Sequence, residues 1–296
     1  MGCVYTVVAY GPDARALPRI VEAAFDEVDR IDRLMSHYKP ESPLSRLNRE
    51  AARGPVAVDP ELFAFLAECL RYSRESEGAF DITVGPLMKA WGFFRGESRV
   101  PEAGEIAEML GRVGYRHVTL RADGRTVQFD RAGVELDLGG IAKGYAVDRV
   151  VELLRRHEVR AALVSAGGST IYGLGAPPGR EGWEVGIQDP IDPRRIARKV
   201  LLKDRALSVA GIREKSFEAG GVTYAHIMDP RTGRPVSDML SVAVLAGRGT
   251  AGDALDDAFF VLGVEKGRDY LKRLPPAEVF FFLPAGRRWR LVQVKN

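Results

Sequence analysis

Apolar residues recur at helical spacing over residues 16–35. Ile20, Ala24, Val28, Ile31 and Met35 share one face, with Asp, Glu and Arg between them. A polar stretch over 36–53, with Pro40 and Pro43, breaks the pattern. A second helix is expected from Asp59, which can cap it, and Pro60, which suits its first turn, to Gly78, which can end it. A third is expected over 101–113. Then the period shortens. Residues 117–121 and 125–130 flank an Asp123-Gly124 turn and read as a hairpin. A strand at 134–138 runs into Gly139-Gly140 and a helix over 142–157. Further strands are expected at 161–165, 183–188, 200–203, 222–226, 241–245, 279–283 and 289–294, and further helices at 251–262 and 266–274. Strands that follow one another without regular helical crossovers favour an α+β fold over a doubly wound parallel sheet. The expected architecture is a helical N-terminal layer packed on a mixed, largely antiparallel sheet, in one domain over 1–296.

Composition narrows the function classes. The 296 residues carry 43 Lys and Arg against 40 Asp and Glu, a net charge of +3, which gives no reason to expect a nucleic-acid partner. The densest apolar run, 279–283, is far short of the roughly 18 residues of a membrane span, so no membrane span is expected. Two cysteines, Cys3 and Cys69, make neither a disulfide framework nor a zinc motif. Met1-Gly2-Cys3-Val4-Tyr5-Thr6 fits a myristoylation pattern, but Val4, Tyr5, Thr6, Val7 and Val8 are strand formers, and a strand is the reading taken. Glycine is in surplus, at 32 residues, as expected where backbone must turn tightly or approach a ligand.

Three segments carry candidate chemistry. Asp137-Leu138-Gly139-Gly140-Ile141-Ala142-Lys143-Gly144-Tyr145 ends a strand in two glycines and opens a helix, where free amides and a lysine attract phosphate. Its spacing is neither the dinucleotide fingerprint nor the P-loop. The same residues also read as a tight turn with a solvated lysine. His226-Ile227-Met228-Asp229-Pro230 places one of only four histidines beside a carboxylate, a general-base arrangement or a polar strand end. Asp253 and Asp257 are four apart on one helix face. They read either as magnesium ligands or, with Thr250 as cap, as acids answering the helix dipole. Ser165-Ala166-Gly167-Gly168-Ser169 ends another strand in two glycines and could line the same pocket. Phe80, after Gly78-Ala79, reads as core more readily than as a stacking ring.

Together these segments resemble the ApbE family, the FAD:protein FMN transferases, in family order along almost the whole chain. The resemblance rests on Met1-Gly2-Cys3, on Leu34-Met35-Ser36-His37-Tyr38 and on Ser42-Pro43-Leu44-Ser45-Arg46-Leu47-Asn48. It continues through 78–87, 137–148 and Trp183-Glu184-Val185-Gly186-Ile187-Gln188-Asp189-Pro190 to its most specific block, 226–233, and Asp253-Ala254-Leu255. It implies an ApbE-like, T-fold-like α+β architecture and magnesium-dependent transfer of FMN from FAD to a Thr or Ser hydroxyl of a target flavoprotein, with AMP as leaving group. In that reading His226 is the base, oriented by Asp229. Mg²⁺ is held by Asp253, Asp257 and the carbonyl of Ala142, and FAD contacts Met1, Tyr38, Ala79, Phe80, Asp81, Lys143 and Ile227. The partner implied is a flavoprotein carrying an Asp-x-Ser/Thr-Gly-Ala-Ser/Thr acceptor motif.

Two positions depart from the family pattern. Asp257 stands where the family usually has Thr, and Ala210 stands where a Ser usually precedes Gly211. Both leave room for two other activities, hydrolysis of FAD to FMN and AMP, or FAD binding without catalysis. The first family motif begins at residue 1, so a cytoplasmic protein is expected from this chain, and a periplasmic or membrane-anchored one if a leader has been removed.

Overall fold

The computed structural model describes every residue except Met1, Pro12, Ala14 and 95–97. The chain opens with β1 (Tyr5–Tyr10), α1 (Leu17–Met35), α2 (Pro43–Glu50), β2 (Val56–Ala57), α3 (Pro60–Glu75), α4 (Gly85–Ala90) and α5 (Ala103–Leu110). Next come β3 (Val118–Arg121), β4 (Thr126–Phe129), α6 (Ala142–Arg156), β5 (Ala161–Ala166), β6 (Thr170–Leu174), β7 (Trp183–Gln188), β8 (Ile196–Leu202) and β9 (Arg205–Gly211). The last part holds β10 (Ser216–Ala219), β11 (Val222–Ala225), β12 (Met228–Asp229), β13 (Arg234–Pro235), β14 (Ser241–Ala246), α7 (Gly249–Leu271), β15 (Glu278–Ala285) and β16 (Arg288–Lys295).

Seven strands form the main sheet in the order β1-β5-β6-β9-β14-β15-β16, and every pairing in it is antiparallel. The fold is therefore α+β, as expected. The central strands are apolar at nearly every position because both faces of the sheet are covered. Val242, Val244, Val279 and Phe281 join the core under α7, with Phe259 and Ala254. Their alternate neighbours Ala243, Leu245, Phe280 and Phe282 face Trp183, Ile187 and Leu202 of the β7–β8 hairpin. Strand alternation thus sends successive residues of one run into two cores.

The helices follow the expected pattern closely. Ala24, Val28, Ile31 and Met35 are the buried face of α1. Asp59 caps α3 by accepting from the amides of Glu61 and Leu62. The C-terminal helical run breaks at Gly263, whose φ of 69° and ψ of −174° separate two helices, as the two predicted segments require.

Three readings change. The polar stretch over 36–53 contains α2, capped by Ser42 through the Ser45 amide at 3.0 Å. Residues 134–138 form no strand. Their backbone is satisfied by loops instead, with Leu136 N–H donating to Asn48 and Asp137 N–H to the Ile82 carbonyl. Strands β6 and β9 were not anticipated, because glycines and small residues stand in place of a clear alternating pattern. Among the described residues no helix is long and apolar enough to cross a membrane.

Candidate active site

A cavity of about 640 Å³ opens where the N-termini of α6 and α7 meet the glycine loops and the turns around β9 and β11. Two close approaches build it. A methyl group at Gly144 would overlap the Gly249 carbonyl, so α6 and α7 cross backbone against backbone. A methyl at Gly140 would overlap the Asp257 carboxylate. Glycine at these positions lets the loop over 137–143 lie directly on the acids of α7.

The start of α7 is capped from α6. Asp148 accepts from the amides of Gly249 at 2.6 Å and Thr250 at 2.9 Å, and from the Thr250 hydroxyl at 2.6 Å. Thr250 therefore donates rather than caps. Asp253 is fixed on both oxygens. Its Oδ2 accepts from the Gly144 amide at 2.9 Å, and its Oδ1 accepts from Thr170 at 3.0 Å and Ser208 at 3.4 Å. Asp256 and Asp257 lie on the same helix face and also line the cavity. Burial, then the charges of Asp257 and Asp253, pushes the Asp256 carboxyl well above its ordinary pKa. Burial pushes Asp257 up to about 7, with Asp253, Glu214 and Asp137 adding to it and Lys143 opposing. Crowded, desolvated carboxylates of this kind gain from a cation.

Lys143 supplies one. Its Nζ donates to the Gly139 carbonyl at 3.1 Å and stands 3.6 Å from Asp253 Oδ1. Burial alone would lower its pKa, but Asp253, Glu214, Asp256 and Asp257 outweigh burial and raise it, so the side chain stays charged.

His226 follows β11 across the cavity. Its Nδ1 lies 3.2 Å from the Lys215 carbonyl, which only accepts, so Nδ1 carries the proton and Nε2 is left as the basic nitrogen. Nε2 stands 3.9 Å from Glu214 Oε2. Burial, helped by Lys143, pushes the imidazole down to about 4, so it is neutral at pH 7.

The sequence of this chain matches the ApbE family over residues 1–281. An FAD:protein FMN transferase of Treponema pallidum is 38% identical over 286 residues, which span 90% of this chain and 79% of that protein. The protein of the same name from Escherichia coli K12 is 30% identical over 283 residues, spanning 92% and 79%. The crystal structure of the ApbE protein of Thermotoga maritima superposes with a TM-score of 0.84 at 33% identity, covering 94% of this chain and 89% of that one. The flavin transferase ApbE of Vibrio cholerae gives a TM-score of 0.86 at 28% identity, covering 99% and 94%.

The chain belongs to the ApbE family.

Nearly all of the residues that the ApbE resemblance singles out lie on one cavity: Tyr38, Ala79, Phe80, Asp81, Ala142, Lys143, His226, Ile227, Asp253 and Asp257. Met1 lies outside the described residues. Asp229 is placed differently from the expectation. Arg231 grips its carboxylate with two hydrogen bonds, at 2.8 and 2.9 Å, and the Lys215 carbonyl takes the position against His226. Asp81 borders the cavity, yet its oxygens are used by Thr83 and the Tyr115 amide, so it shapes the wall. Phe80 is both core and wall.

Five residues of the ApbE site escaped sequence reasoning: Asp256, Glu214 and Lys215 on the cavity, and Thr170 and Ser208, which hold Asp253 from behind it. Asp256, three residues after Asp253, was legible from the same helical spacing that picked out Asp257. Thr170 and Ser208 sit on the unanticipated strands β6 and β9. Glu214 and Lys215 lie in an irregular turn with no periodicity to expose them.

Proposed function

We propose that this chain transfers FMN from FAD to a Thr or Ser hydroxyl of a target flavoprotein that carries an Asp-x-Ser/Thr-Gly-Ala-Ser/Thr motif, releasing AMP. The shared name of the relatives, FAD:protein FMN transferase, supports the reaction class. The observation that carries the assignment to these residues is the neutral His226, with Nε2 unprotonated, on the same cavity as Lys143 and the acids of α7. Nε2 takes the proton of the acceptor hydroxyl as its oxygen forms the new bond to phosphorus, and the bond from phosphorus to the AMP oxygen breaks. Lys143 faces the charge of the pyrophosphate.

The donor set suits magnesium. Among the described residues no three His, Cys, Asp or Glu side chains converge into a cage. Magnesium is commonly held by one or two carboxylates with water and substrate phosphate completing the shell, and the raised proton affinity of Asp257 marks a carboxylate short of positive charge. Asp253, Asp257 and the Ala142 carbonyl would hold the ion, which would neutralise pyrophosphate charge when bound.

One observation favours hydrolysis of FAD as the second reading. His226 Nε2 and Glu214 Oε2 are two acceptors 3.9 Å apart, and a water has two protons to give them where an alcohol has one. AMP release with and without acceptor separates the two. Release that needs the acceptor supports transfer, and equal release in its absence supports hydrolysis.

A further inference from the structure

The cavity wall holds a second histidine that the transfer chemistry does not use. His37 lies in the turn between α1 and α2, with its side chain 10% exposed. Its Nδ1 stands 3.2 Å from Oδ1 of Asp137. A carboxylate only accepts, so Nδ1 carries the proton. Burial holds the imidazole below its ordinary pKa, with Lys89 and Lys215 adding to it against the opposing charge of Asp137. Nε2 is therefore a bare acceptor at neutral pH. It is buried and has no hydrogen-bond partner among the described residues. Native interiors rarely leave such an atom unsatisfied, and where they do a ligand or water is the usual explanation.

The surroundings say what kind of ligand. The His37 ring centroid is 4.1 Å from that of Tyr38 and 5.0 Å from that of Phe94, and Tyr38 and Phe94 stack at 4.7 Å with 6° between their planes. Met35, Val84 and Met88 complete this end of the cavity. Flat rings and thioethers suit a planar heteroaromatic ring, and one acceptor in an apolar wall selects for a donor on its edge.

We propose that His37 Nε2 accepts a hydrogen bond from an N–H on the edge of one of the heteroaromatic rings of FAD, which makes His37 a specificity residue for the dinucleotide. The proposal rests on the FAD reading above. FAD offers two such donors, the imide N–H of the flavin and the amino group of the adenine. Asp137 accepts from the Gly139 amide at 2.8 Å while it pairs with His37. One carboxylate thus ties the ring site to the glycine loop beside Lys143.

The test is calorimetric binding of FAD, FMN and ADP to the wild type, to His37→Phe, which keeps a flat ring without the acceptor, and to His37→Gln, whose Oε1 restores one. The Phe variant is expected to bind FAD about tenfold more weakly and the Gln variant to stay within about threefold of wild type. The same loss appears with FMN alone if the flavin imide is the donor, and with ADP alone if the adenine amino group is. On the wild type, which avoids any folding defect, either N3-methyl-FAD or the analogue of FAD with unsubstituted purine in place of adenine loses a similar factor. Equal FAD affinity in the wild type and the Phe variant, equal losses in both variants, or wild-type binding of both analogues as tight as FAD overturns the proposal alone. A wild type that binds no FAD overturns the FAD reading itself.

Discussion

The Thr170 hydroxyl donates to Oδ1 of Asp253 at 3.0 Å, at a site with no exposure to solvent on the threonine. Strand β6 thus reaches across to the first acid of α7, and Ser208 of β9 bonds to the same pair at 3.0 and 3.4 Å. Thr170→Val keeps the shape and removes the donor. It is expected to destabilise the protein by about 1–3 kcal/mol. Thr170→Ser should recover most of that loss. Urea denaturation reads both, and an unchanged midpoint in the Val variant contradicts the arrangement.

His226→Ala removes the proposed base without touching the His37, Tyr38 and Phe94 rings at the other wall. Transfer should slow by roughly 10²–10⁴. FAD affinity should stay within about threefold, since no binding step is assigned to Nε2. Single-turnover rates and FAD titration check the two halves. A retained rate removes His226 from the base role.

Asp229 is held by Arg231, so Asp229→Asn should leave the pH dependence of the rate where it is in the wild type. The turn loosens and some stability is lost, as expected for a weakened partly exposed ion pair. A moved acid limb in the pH–rate profile shows that Asp229 acts on His226 after all.

Asp257 gives a signed pH dependence of stability. Its folded pKa of about 7 lies above that of a free Asp, which is about 4. Between those values the folded chain holds a proton that the unfolded chain does not, so stability falls as pH rises through this window. His226 works the other way. With a folded pKa of about 4 against about 6.5 unfolded, it destabilises the fold as pH drops through that range. The difference between Asp257→Asn and wild type cancels the histidine. Without metal, the variant should gain on the wild type from pH 4.5 to about 7 and level off above that. Thermal melts in chelator test this, and a difference that does not change with pH contradicts the assigned shift.

Much of this was legible in the sequence because the strongest signals are local. Ile20 to Met35 at helical spacing, Asp59 before Pro60, and the apolar run around Phe281 each encode their own element. The site residues 137–148, 226–233 and 253–257 also came from contiguous motifs. What stayed hidden depends on the tertiary structure. Residues 134–138 look like a strand, but the Asn48 side chain and the Ile82 carbonyl occupy the groups a neighbouring strand would need. The cap of α7 comes from Asp148, a hundred residues earlier, and not from Thr250. The partner of Asp229 is two residues away, while the carbonyl beside His226 belongs to Lys215 in a separate turn. The glycine surplus is likewise explained only by contact, since Gly140 and Gly144 are needed for what lies against them.

The central claim is tested most directly by the intact mass of an acceptor. A flavoprotein bearing the Asp-x-Ser/Thr-Gly-Ala-Ser/Thr motif is incubated with this protein, FAD and Mg²⁺, then weighed. The account predicts one FMN added to the motif's hydroxyl residue, with one AMP released per acceptor, and neither product with His226→Ala. An unmodified acceptor, whether FAD stays intact or is cleaved to free FMN and AMP, contradicts it.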